Sequence, residues 1–378
     1  MAPLAIDPRA VERYFPDLAG TTYLNTANMS VGSAPARQAY EEAIARWSAG
    51  RFDWREAEQA GELCRAIVAE IIGAVVEEIA IIPAVSTAAG LVAANLPEAK
   101  PGESIVVGER EFSSNYFPWL LLRERGYDVR TVSSPEGTPT IEGYEGAVDG
   151  GTRLIAVSAV QSSDGFRADL GAMGRLAARA GAWFFVDAAQ AVGAIPIDVV
   201  RDGVDFLAAP SHKFLLGSRG MGYLYIRRGL LEKLRPIFPG WKAGRVPMES
   251  FYGPTMELSP TASRFDASLA WFPALAEAAA LGLFWRFGVT PILERNALLA
   301  ERLHEALSAS CPAFRPHPAA RRSTIVSLPV SDPAAVVERL QGANVIASVR
   351  AGRVRLSTHF YNTEEEIDQV AGLLGRPV

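Results

Sequence analysis

Trp183-Phe-Phe-Val-Asp187-Ala-Ala-Gln190-Ala-Val-Gly193, followed by Asp205-Phe-Leu-Ala-Ala-Pro-Ser211-His212-Lys213-Phe214, is the stretch on which the reading of this chain turns. Each part is a short apolar run that ends on polar groups: Asp187 closes the first, and Ser211-His212-Lys213 follows the second. Short runs of this kind, rich in aromatic and β-branched residues, read as buried strands. The same pattern recurs outward, giving strand candidates at Ile79–Ile82, Ser104–Gly108, Asp128–Val132, Leu154–Val160, Trp183–Asp187, Phe206–Ala209 and Gly222–Arg227. Helical segments such as Ser114–Arg125 and Leu170–Ala180 lie between them. Alternating β and α units predict an α/β fold with a mainly parallel seven-stranded sheet covered on both faces.

After Pro260 the pattern changes. A long Ala-rich helix is expected over Ser268–Phe287, breaking at Gly288 and restarting near Pro291 to about Ser308. Short strands follow around Ile325–Leu328 and Arg353–Ser357, and Thr363-Glu-Glu-Glu has the form of an N-cap with acids in the first helical turn. The expected organisation is a large domain over residues 20–283 and a smaller α+β domain over 284–378, joined by the N-terminal segment 1–19.

Composition narrows the classes of function. With 378 residues, 49% hydrophobic and 21% charged, the chain has the material for a sizeable core and does not read as disordered. A net charge of −5 lacks the basic excess of a nucleic-acid binder. The uncharged stretch Ile79–Pro97 contains Pro83, Ser86, Thr87 and Asn95, so it reads as strand, turn and helix start instead of a bilayer span. Two cysteines, Cys64 and Cys311, and an N-terminus without a basic region ahead of an apolar core point to a cytoplasmic protein with no disulfide framework. The histidines at 212, 304, 317 and 359 have no metal-ligand spacing. Gly217-Ser-Arg-Gly220-Met-Gly222 has the wrong order for a dinucleotide fingerprint and precedes a strand instead of a helix.

Asp187 and Lys213 stand at the ends of successive strand candidates, at the edge where open α/β sheets bind ligands. An acid and a lysine so placed suit pyridoxal 5′-phosphate. Its aldehyde links to a lysine amine, and its ring nitrogen needs a carboxylate to stay protonated.

Val186-Asp-Ala-Ala-Gln, Ser211-His-Lys and Gly217-Ser-Arg-Gly-Met-Gly-Tyr-Leu-Tyr together resemble the class V aminotransferase family of fold-type I pyridoxal-phosphate enzymes. That family includes cysteine desulfurases, kynureninase-like enzymes, C–S lyases and isopenicillin-epimerase-like proteins. The resemblance runs from Tyr23-Leu-Asn-Thr-Ala to Arg355-Leu-Ser-Thr-His-Phe-Tyr. It implies that Lys213 carries the cofactor as an internal aldimine and shuttles the substrate Cα proton, and that Asp187 pairs with the ring nitrogen. Gln190 and Gln161 match donors to the phenolic oxygen, and Phe112 matches the residue stacked on the ring. Ser86 and Thr87, in Val85-Ser-Thr-Ala-Ala-Gly, match the phosphate-binding turn together with His212, with Ser211 a weaker match. Arg355 matches the guanidinium that grips the substrate α-carboxylate, with Asn115 as a neighbour at the substrate. The resemblance further implies a homodimer, an amino-acid substrate and no metal, nucleic-acid or membrane partner.

The sequence also departs from the family. Desulfurases need a mobile persulfide-forming cysteine upstream of the carboxylate arginine, yet residues 342–355 contain none. Cys311 reads as a loop or helix-end residue and Cys64 as core. Where desulfurases carry Gly-Thr-Pro, this chain has Ser268-Leu269, so a phosphate contact from a neighbouring subunit rests on Ser268. Trp241, Tyr252 and Trp271 are possible pocket walls. The expected activity is that of an aminotransferase on an amino acid. The alternatives are a C–S lyase, a desulfurase-like or epimerase-type enzyme, and a catalytically silent cofactor-binding protein.

Overall fold

The computed structural model describes residues 6–133 and 140–375. The ends of the expected segments 1–19 and 284–378 therefore lie partly outside the described residues.

The chain starts against its own C-terminal part. Strand β1 (Thr22–Tyr23) pairs in parallel with Val345–Ile346, Asn25 bridges Ser357, and the Phe15 ring packs edge-on against Phe360 at 5.9 Å. The large sheet comprises β2 (Ile79–Ile82), β3 (Ser104–Gly108), β4 (Asp128–Val132), β5 (Thr152–Ser158), β6 (Trp183–Asp187), β7 (Phe206–Pro210) and β8 (Gly222–Ile226). Its order is β2-β8-β7-β6-β5-β3-β4, and only the pairings of β8 are antiparallel. All seven expected strands are present. Six of the seven are buried along most of their length, and all of these but β5, which carries Thr152, Arg153 and Ser158, are almost wholly apolar, as a sheet covered on both faces requires. The smaller sheet is antiparallel, in the order β11-β12-β9, with β9 (Ile325–Leu328), β11 (Ser348–Arg350) and β12 (Arg353–Ser357), while β10 (Val345–Ile346) pairs separately with β1. A separate core lies beneath it, formed by Leu299, Leu303, Val326, Leu340, Val354 and Ile367 with Leu24 from the chain start.

Local chemistry sets the helix ends. Leu170–Ala180 starts where Asp169 accepts from Ala172 N (2.9 Å) and stops at Gly181 with φ 67°, the left-handed value that glycine adopts without strain. Thr363 and Glu366 form the reciprocal cap of the last helix, Glu364–Leu374. The stretch Ile79–Pro97 is strand β2 followed by the helix Val85–Asn95, as its polar turn indicated.

One expected helix is broken. Ser114–Arg125 comprises a 3₁₀ turn at Ser113–Asn115, a short helix at Phe117–Leu120 and a second 3₁₀ turn at Leu121–Arg125. Pro118 has no N–H to give to residue 114 and must sit in a first turn, so the chain restarts there. For the same reason the Ala-rich helix begins at Trp271, with Pro273 in its first turn, and the next, Val289–Ser310, follows Gly288 directly. Among the described residues no single helix is long and apolar enough to cross a membrane. These two consecutive helices would reach that length only together, and they are bent by 87°.

Candidate active site

Strands β6 and β7 are parallel neighbours, with Asp187 opposite Ala208, so their C-terminal ends open on the same edge. The turn after β7 brings Lys213 into the same cavity as Asp187, a space of about 230 Å³. That turn is held on every side. Ser211 N bonds Met221 O (3.0 Å), Gly217 N bonds Ser211 O (3.0 Å), and Leu216 N bonds Lys213 O (3.1 Å). Ser30, from the chain start, gives its N–H to His212 O (2.8 Å) and its hydroxyl to Gly217 O (2.7 Å). Leu216 is held at φ 62°, a strained value for a branched side chain that only a well-anchored turn maintains.

The electrostatics follow from burial. Burial pushes the Lys213 ammonium down to about 8; Asp187 opposes the shift, and Arg355 and Arg350 add to it. Burial raises the Asp187 carboxyl, against a hydrogen bond from Ala189 N (2.9 Å) and the attraction of Lys213. His212 is pushed to about 4 by burial, with Lys213 and Arg219 contributing, so its imidazole is neutral at physiological pH.

Of the other sequence-predicted residues, Phe112, Gln190, His212 and Arg355 line the cavity with this pair, and Ser86, Thr87, Asn115 and Gln161 do not. Phe112 is 48% exposed, which excludes a core role, and the Lys213 Nζ lies 5.8 Å from its ring centroid. Gln190 lines the cavity; its Nε2 donates to Ala27 O (3.0 Å), and its Oε1 is buried without a partner. Pro83, Ala84 and Val85 line the cavity where the helix Val85–Asn95 begins. Thr87 N and Ala88 N bond Ala84 O there (3.1 and 3.3 Å), so an anion at this helix end would meet the N–H groups of Val85 and Ser86 ahead of them. Ser86 and Thr87 lie in that first turn, Ser86 exposed and Thr87 partly buried. Ser211 is buried, and its hydroxyl donates to Ser218 O (2.7 Å). Arg355 is 1% exposed and lines the cavity. Its Nη1 donates to Ser162 O (2.9 Å), while Nε and Nη2 are buried without a partner. Burial, with Arg350 nearby, lowers it to about 10, so it keeps its charge at neutral pH.

Asn115 and Gln161 are placed otherwise than expected. Asn115 is wholly buried behind the cavity: its Nδ2 donates to Glu111 Oε2 (2.8 Å) and its Oδ1 accepts from Trp119 Nε1 (3.1 Å). Both ends of its amide are taken, so it is a support and does not stand at the substrate. Gln161 also turns its Nε2 onto Glu111, at 2.7 Å from Oε1, and is buried beside the lining. Glu111 is thus the hub of this wall. Besides these two amides it accepts from Ser158 N (2.9 Å) and bonds the Ser158 hydroxyl, and Ser158 stands opposite Asp187 in the sheet register. Burial raises Glu111 to about 7; the Ser158 and Asn115 bonds oppose this, and the like charge of Asp187 adds to it. No local signal marked Glu111, an acid in a loop between Arg110 and Phe112.

Arg350 is the second residue not assigned a role from sequence. It shares the cavity lining with Arg355 and Arg219. Trp241 and Trp271 pack on Trp54 at 5.7 and 5.9 Å, outside the lining, and Tyr252 and Ser268 are exposed. Both cysteines are buried away from the cavity, Cys64 in the core and Cys311 as the C-cap of Val289–Ser310. Among the described residues no cluster of His, Cys, Asp or Glu is arranged to hold a metal ion.

Residues 34–370 match the family model for class V aminotransferases. The chain is 31% identical over 376 residues to the uncharacterized aminotransferase YcbU of Bacillus subtilis, covering 96% of this chain and 97% of that protein. It is 32% identical over 398 residues to a probable cysteine desulfurase of Methanothermobacter thermautotrophicus, covering 96% and 98%. Among solved structures, the apo cysteine desulfurase of Thermococcus onnurineus NA1 superposes with a TM-score of 0.84 at 24% identity over 99% of this chain and 98% of that one, a likeness of fold.

Proposed function

The chain belongs to the class V aminotransferase family of pyridoxal-phosphate-dependent enzymes, and from that premise we propose that it transfers the α-amino group of an amino acid to an α-keto acid. The observation that carries this reading is the meeting of Lys213, Asp187 and Arg355 in one cavity at the strand ends. The residues present fit the cofactor. A buried carboxylate, an amine shifted toward neutrality, an anion-binding helix end and an unpartnered Gln190 oxygen surround a space faced by an aromatic ring. When bound, the group supplies an electron sink for the pair left on the substrate Cα.

The chain's own side chains do the rest. With Lys213 lowered to about 8, roughly a tenth of its amine is neutral at pH 7, enough to accept and return a proton at Nζ. Asp187 holds negative charge opposite it, where the ring nitrogen needs a partner. The free Nε–Nη2 edge of Arg355 matches both oxygens of an α-carboxylate and fixes the substrate's orientation. His212, Arg219 and the start of the helix Val85–Asn95 would hold the phosphate, and Phe112 would cover the ring.

The absence of a cysteine from the cavity weighs against persulfide transfer, which leaves acceptor-independent C–S cleavage as the competing chemistry. Pairing of two copies is supported by the exposed apolar side chains of Phe238, Phe251, Tyr252 and Met256. Two domains are supported by the separate core under the smaller sheet, but the helix Trp271–Phe287 runs across residues 283 and 284 and Phe284 and Ile292 still pack in the large core.

The test is the visible absorbance of the bound cofactor and a screen of amino acids with and without α-keto acids. Wild type should show the band and turn over only with an acceptor, and Lys213→Ala should lose both. Pyruvate or sulfide released without an acceptor would make it a lyase. A spectrum that no amino acid alters would make it a silent binder. A Lys213→Ala protein that kept the band would overturn the assignment.

A further inference from the structure

The smaller sheet turns a polar face toward the cavity. In its register Arg355 stands opposite both Ser327 and Ser348, and Arg350 opposite Arg353, so these side chains leave the sheet on one side. The turn between β11 and β12 is only two residues, Ala351 and Gly352, both at positive φ (50° and 72°), which keeps the two arginine-bearing strands in tight register. Buried polar atoms are normally satisfied. Here the Nε of Arg350, the Nε and Nη2 of Arg355, and the hydroxyls of Ser327 and Ser348 are all buried without a partner. Among the described residues no carboxylate pairs with Arg350 or Arg355, and Asp187 is the one acid in the cavity lining.

The charges can be assigned in turn. Arg219 lies beside His212, at the phosphate end. One edge of Arg355 suffices for one carboxylate, since Nε and Nη2 present two parallel donors. Asp187 is matched by the ring nitrogen. Arg350 then has no counter-ion, although it faces the same space.

We infer that Arg350 reads a second anionic group on the substrate, so that the preferred amino acids are those with an acidic side chain, such as aspartate, glutamate or cysteine sulfinate. This rests on the reading of the cavity as an amino-acid site, and it deepens that reading by naming the substrate class. Arg350 acts here as a specificity residue, holding the far end of the substrate while Arg355 holds the near one.

The experiment uses the cofactor-loaded enzyme and two kinds of probe. In calorimetric titrations, succinate and glutarate should bind at least tenfold tighter than propionate and butyrate, and Arg350→Gln should erase that preference. In steady-state assays the kcat/KM ratio of L-glutamate or L-aspartate over L-alanine should fall by at least about 30-fold in Arg350→Gln, the lower end of the cost of losing one partner of a desolvated charge pair. Equal binding of mono- and dicarboxylates, or an unchanged substrate ratio in the variant, would overturn the inference. A dicarboxylate preference lost in Arg350→Gln, in a protein whose spectrum no amino acid alters, would support the anion site and overturn the catalytic reading instead.

Discussion

Replacing Glu277 with glutamine should remove a pH dependence from the stability of this protein. Glu277 is wholly buried on the helix Trp271–Phe287, behind the turn that carries Lys213. Its Oε1 accepts from the Tyr223 hydroxyl at 2.6 Å. Its Oε2 has no partner, because the nearby Ser211 hydroxyl is donated to Ser218 O. Burial raises its carboxyl from 4.5 to about 7, with the Tyr223 hydroxyl opposing the shift. A carboxyl raised in the folded state favours folding most fully below pH 4.5, where both states are protonated. That contribution fades as pH rises toward 7, because the unfolded chain releases its proton first. The total loss is about 3 kcal/mol, of which about 2.5 kcal/mol falls between pH 5 and pH 8. Glutamine keeps an acceptor for Tyr223 and has no proton to lose. In urea unfolding at a series of pH values, wild-type stability minus Glu277→Gln stability should therefore drop by about 2.5 kcal/mol from pH 5 to pH 8. Glu111, raised in the same way, is present in both proteins and cancels from the difference. Parallel curves across that range would refute the claim that burial holds Glu277 protonated.

Gly165→Ala should cost about 3 kcal/mol and raise the KM for the amino acid. Gly165 sits at φ 80°, and a Cβ there would stand 2.1 Å from Ile325 O, displacing the loop whose Ser162 carbonyl holds Arg355; unfolding and steady-state kinetics report the two effects. Asp266→Ala should destabilise by about 3–5 kcal/mol, since it strips a buried 2.6 Å partner from Arg65, whereas replacing both residues by apolar ones of similar volume should recover much of that loss in the same unfolding assay.

Much of the large sheet was legible because its strands are continuous apolar runs, a property of five-residue windows. The broken helix at 114–125 shows where windows mislead: its periodicity is helical, but Pro118 removes one bond and re-sets the start. Strands β1, β10 and β11 have only two or three residues, and their extended form depends on partners far along the chain. Within the site, strand ends and the ordered Asp187–Lys213 pair could be read locally. The placement of Asn115 and Gln161 could not, because Glu111 draws both inward, and nothing near Glu111 in sequence announces a buried acid.

The amino-acid sequence by itself determined the kinds and order of the main elements and which lysine and which acid stand at the sheet's open edge. Both are consequences of short-range patterning. Only the tertiary structure decided that Arg350 and Arg219 join Arg355 in the cavity and which amides support its wall. Those outcomes depend on the register of β9, β11 and β12 and on how the Ser162–Gly165 loop docks against them. Such contacts join residues more than 150 positions apart, and their geometry exists only once two separate sheets are packed together.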